Sequence, residues 1–165
     1  YAEWRKHGEV VITFKLTQDL EFIYQDICEH RKHFKILMVA YDAWNADTVI
    51  NKLIADGVET KAYKQNLPDM NTPMKKLESL VLAGQLEHGG HPAFRWQCSN
   101  AQAKFRTVGG SEYVAITKSS DKARIDVMVA CIIAIGIWVW QMQVAEEKIK
   151  SLQRLKGVTS IQLQR

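Results

Sequence analysis

Two aspartates, Asp42 and Asp126, occupy positions where carboxylates can do chemistry. Asp42 directly follows the apolar run ILMVAY, and Asp126 directly precedes the apolar run VMVACIIAIGIWVW. In α/β sheets, functional groups lie outside the carboxyl ends of strands. Two carboxylates that converge from a strand end and a helix start can bind hard divalent cations through oxygen. A pair of such ions can activate water and stabilise the leaving oxygen in phosphodiester cleavage.

Each of these aspartates also has an ordinary structural explanation. Asp42 could be a loop residue that caps the next helix through its side-chain oxygen. Asp126 could be a first-turn acid stabilised by the positive end of the helix dipole. Taken one at a time, these structural explanations are favoured, and only the combination of the two residues points to a metal site.

The other chemistry-bearing residues give weaker signals. His88 and His91 flank Gly89-Gly90 in a loop, but no third metal ligand stands near them in the sequence. The three cysteines, Cys28, Cys98 and Cys131, form no CxxC pair, which disfavours disulfides and zinc sites and fits a reducing cytoplasm. Neither GxxxxGK[ST] nor GxGxxG occurs, so nothing supports ATP or dinucleotide binding.

The elements that must position the two aspartates alternate between strands and helices. The first half predicts a strand over 10–16, a helix over 20–34 and a strand over 36–41 that is buried on both faces. A helix then runs from a cap at Asn45 through Ala55 and stops at Gly57. Residues 58–63 form the next strand.

The second half predicts a helix that starts at Thr72-Pro73 and ends at Gly84. Strands follow over 94–98 and 102–108, and Gly109-Gly110 permits a hairpin into 112–117. A long helix begins near residue 125 and ends at Gly157, before a tail that is a short strand or disordered. This order indicates one α/β domain with a mixed sheet flanked by helices.

The apolar run after Asp126 is too short for a membrane anchor. It covers about fourteen residues, whereas a spanning helix needs about 20. A hydrophobic content of 47% and a charged content of 24% are also ordinary for a globular protein. We therefore expect this run to be a buried core helix and expect no membrane association.

The net charge of +4 is unevenly distributed. Residues 1–94 carry 11 basic and 13 acidic side chains, whereas residues 95–165 carry 11 basic and 5 acidic ones. A basic second half is compatible with a polyanionic partner, although a solvated basic surface is the commoner explanation.

Several of these features occur in one order that resembles a known family. The segments are VAYDAWNADTVINKLIADG, then NTPMKKLESLVLAGQLEHGGHPAFRWQCSNA, then GGSEYVAITKSSDKARIDVMVACIIAIG. They include an acidic residue and a Trp after a buried strand, the loop LEHGGHP, an Arg-Trp with a following Asn, and an Ile-Asp that opens the last apolar helix. Over about residues 8–140 the chain resembles the C-terminal nuclease domain of the large terminase subunit of tailed bacteriophages or prophages.

The resemblance implies an RNase H-like fold and a magnesium- or manganese-dependent endonuclease. Such a domain cuts concatemeric double-stranded DNA during genome packaging, in the cytoplasm of the bacterial host. By motif position, Asp42 and Asp126 are the implied metal ligands and catalytic residues. Lys118 matches the Lys ahead of the last helix and is implied to contact phosphate or order the site, with Asp121 as a weaker accessory candidate. The portal protein and the small terminase subunit are implied partners of the full-length protein.

The resemblance departs from the family pattern at the first strand. The family's metal centre also uses an Asp on the first strand of the fold, whereas the strand VVITFKL offers none. We therefore expect residues 1–142 to form the nuclease domain without that strand, and residues 143–165 to form a helical tail. A missing carboxylate also favours a second hypothesis, in which the chain is a non-catalytic fragment for DNA binding or motor assembly.

Overall fold

The computed structural model describes residues 2–11, 20–44 and 46–162, with side chains as far as residue 155. In chain order the elements are α1 (Ala2–Lys6), α2 (Leu20–His33), β1 (Val39–Tyr41), α3 (Asp47–Ala55), β2 (Thr60–Ala62), α4 (Leu67–Leu82), α5 (Pro92–Asn100), β3 (Ala101–Val108), β4 (Ser111–Lys118) and α6 (Asp126–Gln162). The strand predicted over 10–16 lies almost wholly outside the described residues. The helix predicted over 20–34 is confirmed as α2.

Strands β1 and β2 form a parallel pair that separates two hydrophobic clusters. Val39 and Tyr41 pack against a cluster built on Leu53 of α3, whereas Ala40, between them, packs against a cluster built on Ile132 of α6. This alternation follows from the two-residue period of a strand. Helices therefore cover both faces of the pair, as the predicted α/β class requires.

The strand predicted over 36–41 is shorter and more exposed than expected. Only residues 39–41 are paired, and they are half-buried, while Leu37 is 57% exposed. The prediction of full burial on both faces is wrong, since even the paired residues keep part of their surface exposed to solvent. Residues 58–63 likewise contribute the three-residue strand β2.

Helix α3 packs on α2 and ends as predicted, with Gly57 at a φ of 74° after Ala55. A positive φ is readily adopted by glycine. The residue directly before α3 is Ala46, whose side chain makes no capping hydrogen bond. Asn45, the expected cap, lies outside the described residues.

Helix α4 begins one and a half turns before the predicted start. Asn66 is its cap and accepts a 2.9 Å hydrogen bond from the Asp69 amide, with Pro68 in the first turn. Pro73 consequently lies inside the helix, where it cannot donate to the Asp69 carbonyl. The Tyr63 hydroxyl donates to that carbonyl instead, at 2.8 Å. The helix ends at Gly84, as predicted, with a φ of 64°.

Tyr63 also explains the glycine inside α6. A Cβ added to Gly136 would lie 2.3 Å from the Tyr63 hydroxyl oxygen and 2.9 Å from its Cζ. The absence of a side chain at Gly136 therefore lets the Tyr63 ring lie against the helix backbone. This contact brings the end of β2 onto α6.

The prediction of a strand over 94–98 is wrong, because these residues belong to helix α5. Pro92 occupies the first turn, where its restricted φ suits a helix and its missing N–H costs nothing. Five residues, FRWQC, are too few for periodicity alone to distinguish a helix from a strand. Here packing against α6 favours the helix.

The hairpin is confirmed. Strands β3 and β4 are antiparallel, from Ala101 opposite Lys118 to Val108 opposite Ser111, with Gly109-Gly110 as the turn. Strand β4 lies along α4, and the Val114 amide donates a 3.0 Å hydrogen bond to Asn71 Oδ1. Among the described residues, the parallel and antiparallel pairs form separate sheets.

Helix α6 is the core helix that the sequence predicts. Ile132 and Ile133 are buried, and with Met70 and Leu77 of α4 they belong to the larger cluster. The helix continues to Gln162, so the predicted end at Gly157 is wrong, and no break occurs at residue 142. By length and composition alone, α6 is also long and apolar enough to cross a membrane, as core helices of globular proteins can be.

Candidate functional site

Asp42 lies at the carboxyl end of β1, and two hydrogen bonds hold its carboxylate. Oδ1 accepts from the Trp44 backbone amide at 3.1 Å, which is the local turn that an Asp after a strand readily forms. Oδ2 accepts from Gln65 Nε2 at 2.6 Å. Gln65 follows β2, so the carboxyl ends of the two parallel strands join through these side chains.

Asp126 is the first residue of α6, and α5 anchors the chain on either side of it. Gln97 Oε1 accepts from the Val127 amide at 2.7 Å, which satisfies one of the free N–H groups of the first turn. Asn100 Nδ2 donates to the Arg124 carbonyl at 3.1 Å. The Asp126 carboxylate itself is exposed and has no hydrogen-bond partner within the described part of the chain.

Asp42 and Asp126 line the same open cleft. The cleft has a volume of about 320 Å³, and Gln65 is its other strongly polar side chain. Its floor consists of apolar residues of β1 and α6, namely Ala40, Val129, Ala130, Ile133 and Ala134. The fold therefore brings together the two carboxylates that the sequence singled out.

The other candidate residues lie outside this cleft. Lys118 ends β4 and Asp121 lies in the following turn, and both side chains are exposed. His88 accepts a 3.2 Å hydrogen bond from the Gly90 amide and contacts the Phe94 ring, while His91 precedes α5. Within residues 2–11, 20–44 and 46–162, no group of three or more His, Cys, Asp or Glu side chains could hold a metal ion.

Sequence reasoning missed three residues that orient the cleft. Gln65 carries a usable signal, because it follows β2 as Asp42 follows β1 and the carboxyl ends of adjacent parallel strands meet. Gln97 lies in the segment 94–98 that the sequence predicts as a strand, and Asn100 lies just after it, so the sequence gives no indication that either side chain contacts the start of α6. The hydrogen bonds of these two side chains with residues 124 and 127 depend on the helical conformation of α5.

The donor set of the cleft suits a hard divalent cation. Its candidate ligands are carboxylate oxygens, and magnesium is typically bound in proteins by one or two carboxylates with water completing the shell. Neither cysteine nor histidine lines the cleft, so softer metals are not favoured. Asp42 and Asp126 are the residues that could hold the ion.

The fold is an α/β domain of the RNase H-like class, with acidic residues at a strand end and a helix start. The family model for the terminase large subunit, endonuclease domain, matches residues 1–146. The chain belongs to this family. The predicted recognition and fold class are thereby confirmed.

Known relatives agree with the family match. The chain is 30% identical over 138 residues to the terminase large subunit of Enterobacteria phage HK97, covering 82% of this chain and 27% of that protein. It is 25% identical over 136 residues to protein YmfN of Escherichia coli (strain K12), covering 82% of this chain and 30% of that protein. The crystal structure of the HK97 large terminase superposes with a TM-score of 0.69 at 29% identity, over 82% of this chain and 28% of that chain.

Proposed function

We propose that this chain is a metal-dependent endonuclease domain that cleaves concatemeric double-stranded DNA during viral genome packaging. Membership of the terminase endonuclease family supports a nuclease role in DNA packaging. The observation that carries the proposal is the shared cleft of Asp42 and Asp126, which come from a strand end and a helix start far apart in the sequence. The chain spans less than a third of its curated relatives, so the activity of a longer protein is part of this proposal.

In this proposal Asp42 and Asp126 hold Mg²⁺ or Mn²⁺. A bound pair of such ions supplies an activated water and stabilises the leaving oxygen of the phosphodiester. Gln65 and the Trp44 amide fix the orientation of the Asp42 carboxylate. Gln97 and Asn100 fix the first turn of α6 and with it the position of Asp126.

The exposed residues near the start of α6 have accessory roles in the proposal. Lys118 contacts phosphate or helps to order the site, and Asp121 is the weaker accessory candidate. Within a full-length protein, the portal protein and the small terminase subunit are the partners, and the host cytoplasm is the place of action. We assign the nuclease domain to residues 1–142 and a helical tail to residues 143–165.

A plasmid-cleavage assay with Mn²⁺ tests the site. Asp42→Asn and Asp126→Asn keep the shape of each side chain but remove its charge, and we expect each to lower cleavage and Mn²⁺ binding at least about 100-fold. Asp26→Asn is the matched control, because Asp26 is exposed on α2 and faces His30 at 3.7 Å. Cleavage that persists in both cleft variants would refute the assignment.

The same assay separates the proposal from a non-catalytic DNA-binding or motor-assembly role. The observation that favours this second role is that the cleft brings only two carboxylates together among the described residues. It predicts salt-sensitive DNA binding without Mn²⁺-dependent cutting, and DNA affinity that does not change in Asp42→Asn or Asp126→Asn. Cutting by the wild-type chain excludes it.

A further inference from the structure

Trp44 differs from the other tryptophans of the chain in its exposure and in its lack of partners. Its side chain is 83% exposed, and in the described part of the chain its indole makes no hydrogen bond, ring contact or cation–π contact. Each of the other four indoles has a ring or ammonium partner, namely Trp4 with Trp96, Trp138 with Lys76 and Trp140 with Lys61. Tryptophan is enriched at binding surfaces because its large, stiff ring offers contact area. The exposed indole therefore indicates a contact with a ligand.

The backbone of Trp44 holds this residue beside the candidate cleft. Its amide donates to Asp42 Oδ1 at 3.1 Å, so the indole starts within one side-chain length of the carboxylate. Trp44 also lines an apolar depression of about 300 Å³. Ala40, Tyr41 and Asp42 line both this depression and the cleft that contains Asp126. The depression and the cleft therefore meet at the carboxyl end of β1.

The depression suits the face of a nucleobase better than a phosphate. Its walls are mostly apolar side chains of α2, β1 and α3, and among the described residues that line it Asp42 is the only charged one. A phosphate needs cations or N–H donors, whereas every base has a π face that stacks on an aromatic ring whatever the sequence. A phosphodiester held at Asp42 and Asp126 carries a nucleoside on each side. The nucleoside on the β1 side of the cleft is within reach of the Trp44 indole.

We propose that Trp44 stacks on an unpaired nucleobase next to the phosphodiester that the cleft holds, and so positions the DNA strand. In a paired duplex the neighbouring bases cover both faces of each base, so the indole contacts a base only where a strand is unpaired or a base has left the stack. The domain should therefore hold DNA with an unpaired segment more tightly than fully paired DNA. This inference rests on the proposed function for its substrate, and it adds the state of the strand that the site accepts.

Binding of two fluorescent duplexes tests the proposal. One duplex is fully paired, and the other has the same length and a short unpaired bubble at its centre. Anisotropy is measured in Ca²⁺, which binds oxygen ligands, and gels verify that the DNA stays intact. We expect Trp44→Ala to weaken binding of the bubble duplex at least about 5-fold, the smallest effect expected for loss of one base–aromatic stack, without changing the affinity for the paired duplex. Trp44→Phe keeps an aromatic ring and should retain most of the affinity for the bubble duplex.

A matched control removes an exposed aromatic ring elsewhere. Phe34 is 65% exposed and lies in the segment before β1, so Phe34→Ala should bind both duplexes as the wild type does. Both Trp44 variants keep the backbone amide at position 44, and with it the hydrogen bond to Asp42. The proposal is overturned if Trp44→Ala binds the bubble duplex like the wild type, if it weakens both duplexes equally, or if Trp44→Phe shares the loss. Since this readout needs no cutting, its failure is distinct from persistent cleavage in Asp42→Asn and Asp126→Asn, which would sink the proposed function.

Discussion

Gln65 Nε2 donates a 2.6 Å hydrogen bond to Asp42 Oδ2, and this contact joins the ends of two adjacent parallel strands. The Trp44 amide occupies the other carboxylate oxygen at 3.1 Å. The carboxylate is thus held from both sides before any ligand is present. Such preorganisation is what a group that binds or reacts needs, because less orientational freedom is lost on binding.

Replacement of Gln65 by leucine should weaken metal binding. The change removes the donor to Asp42 and leaves its carboxylate free to rotate, so we expect Mn²⁺ affinity to fall about 10–100-fold, as for other residues that orient metal ligands. Titration calorimetry with Mn²⁺ measures this effect. Gln25→Leu is the matched control, since it removes a 3.2 Å amide–carboxylate contact with Glu21 on α2. Equal affinity in the Gln65 and Gln25 variants would contradict the role.

Replacement of Gln97 by leucine should destabilise the start of α6. The Val127 amide then loses its 2.7 Å acceptor, and loss of a helix cap costs about 1 kcal/mol of unfolding free energy. Urea denaturation measures the change. Gln153→Leu, on the exposed distal part of α6, serves as the control and should have little effect. If both variants unfold at the same urea concentration, Gln97 does not act as a cap.

Tyr63 and Pro73 should be energetically coupled. In the wild type, Tyr63→Phe leaves the Asp69 carbonyl without its hydroxyl donor, which we expect to cost about 1 kcal/mol. With Pro73→Ala, an amide at position 73 can donate to that carbonyl, so Tyr63→Phe should cost close to nothing. A double-mutant cycle by urea denaturation measures the coupling. Additive costs would show that the hydroxyl does not replace the missing helix bond.

The thiols of Cys98 and Cys131 should react more slowly in the folded protein than in the unfolded chain. Burial raises the pKa of both thiols, so less thiolate is present than in the unfolded chain, where the thiol pKa is about 8.5. We expect iodoacetamide to label both cysteines more slowly in the native protein than in urea. The labelling rates of the native protein should continue to rise at pH values above the unfolded thiol pKa of about 8.5. Mass spectrometry of each cysteine peptide measures these rates.

The same shifts determine a pH dependence of stability. A raised pKa in the folded state means that the stability which Cys98 and Cys131 contribute is fully present below the unfolded pKa of about 8.5, and is lost as pH rises through the folded value. Cys98→Ala combined with Cys131→Ala should therefore flatten the fall of unfolding free energy at alkaline pH. An equally steep fall in this double variant would contradict the assignment.

The helix boundaries show where local sequence signals are sufficient. Gly57 and Gly84 end α3 and α4 as predicted, because a residue with a positive φ stops a helix through its own backbone preference. The pair Thr72-Pro73 has the residue types of a helix start, a capping Thr followed by a first-turn Pro, yet it lies inside α4. The cost of Pro73 is offset by Tyr63, which no signal near residue 73 could reveal.

Residues 92–100 show the opposite case, in which local signals are ambiguous. The segment FRWQC alternates apolar and polar residues over only five positions, which is too short to distinguish a strand from a helix, so the choice depends on what the segment packs against. Gln97 and Asn100 contact the start of α6 only in the helical form. The contacts that position Asp126 could therefore not be predicted from the sequence.

The amino-acid sequence was sufficient to predict the family, the α/β class and the core helix after Asp126, and to single out Asp42 and Asp126 as candidate site residues. These follow from motif order and from periodicity, which are properties of short segments and of their succession. The shared cleft of Asp42 and Asp126, the Gln65–Asp42 hydrogen bond and the contacts of α5 with the start of α6 could be found only in the folded structure. Each joins residues from different elements, and such distances are set by how strands pair and helices pack.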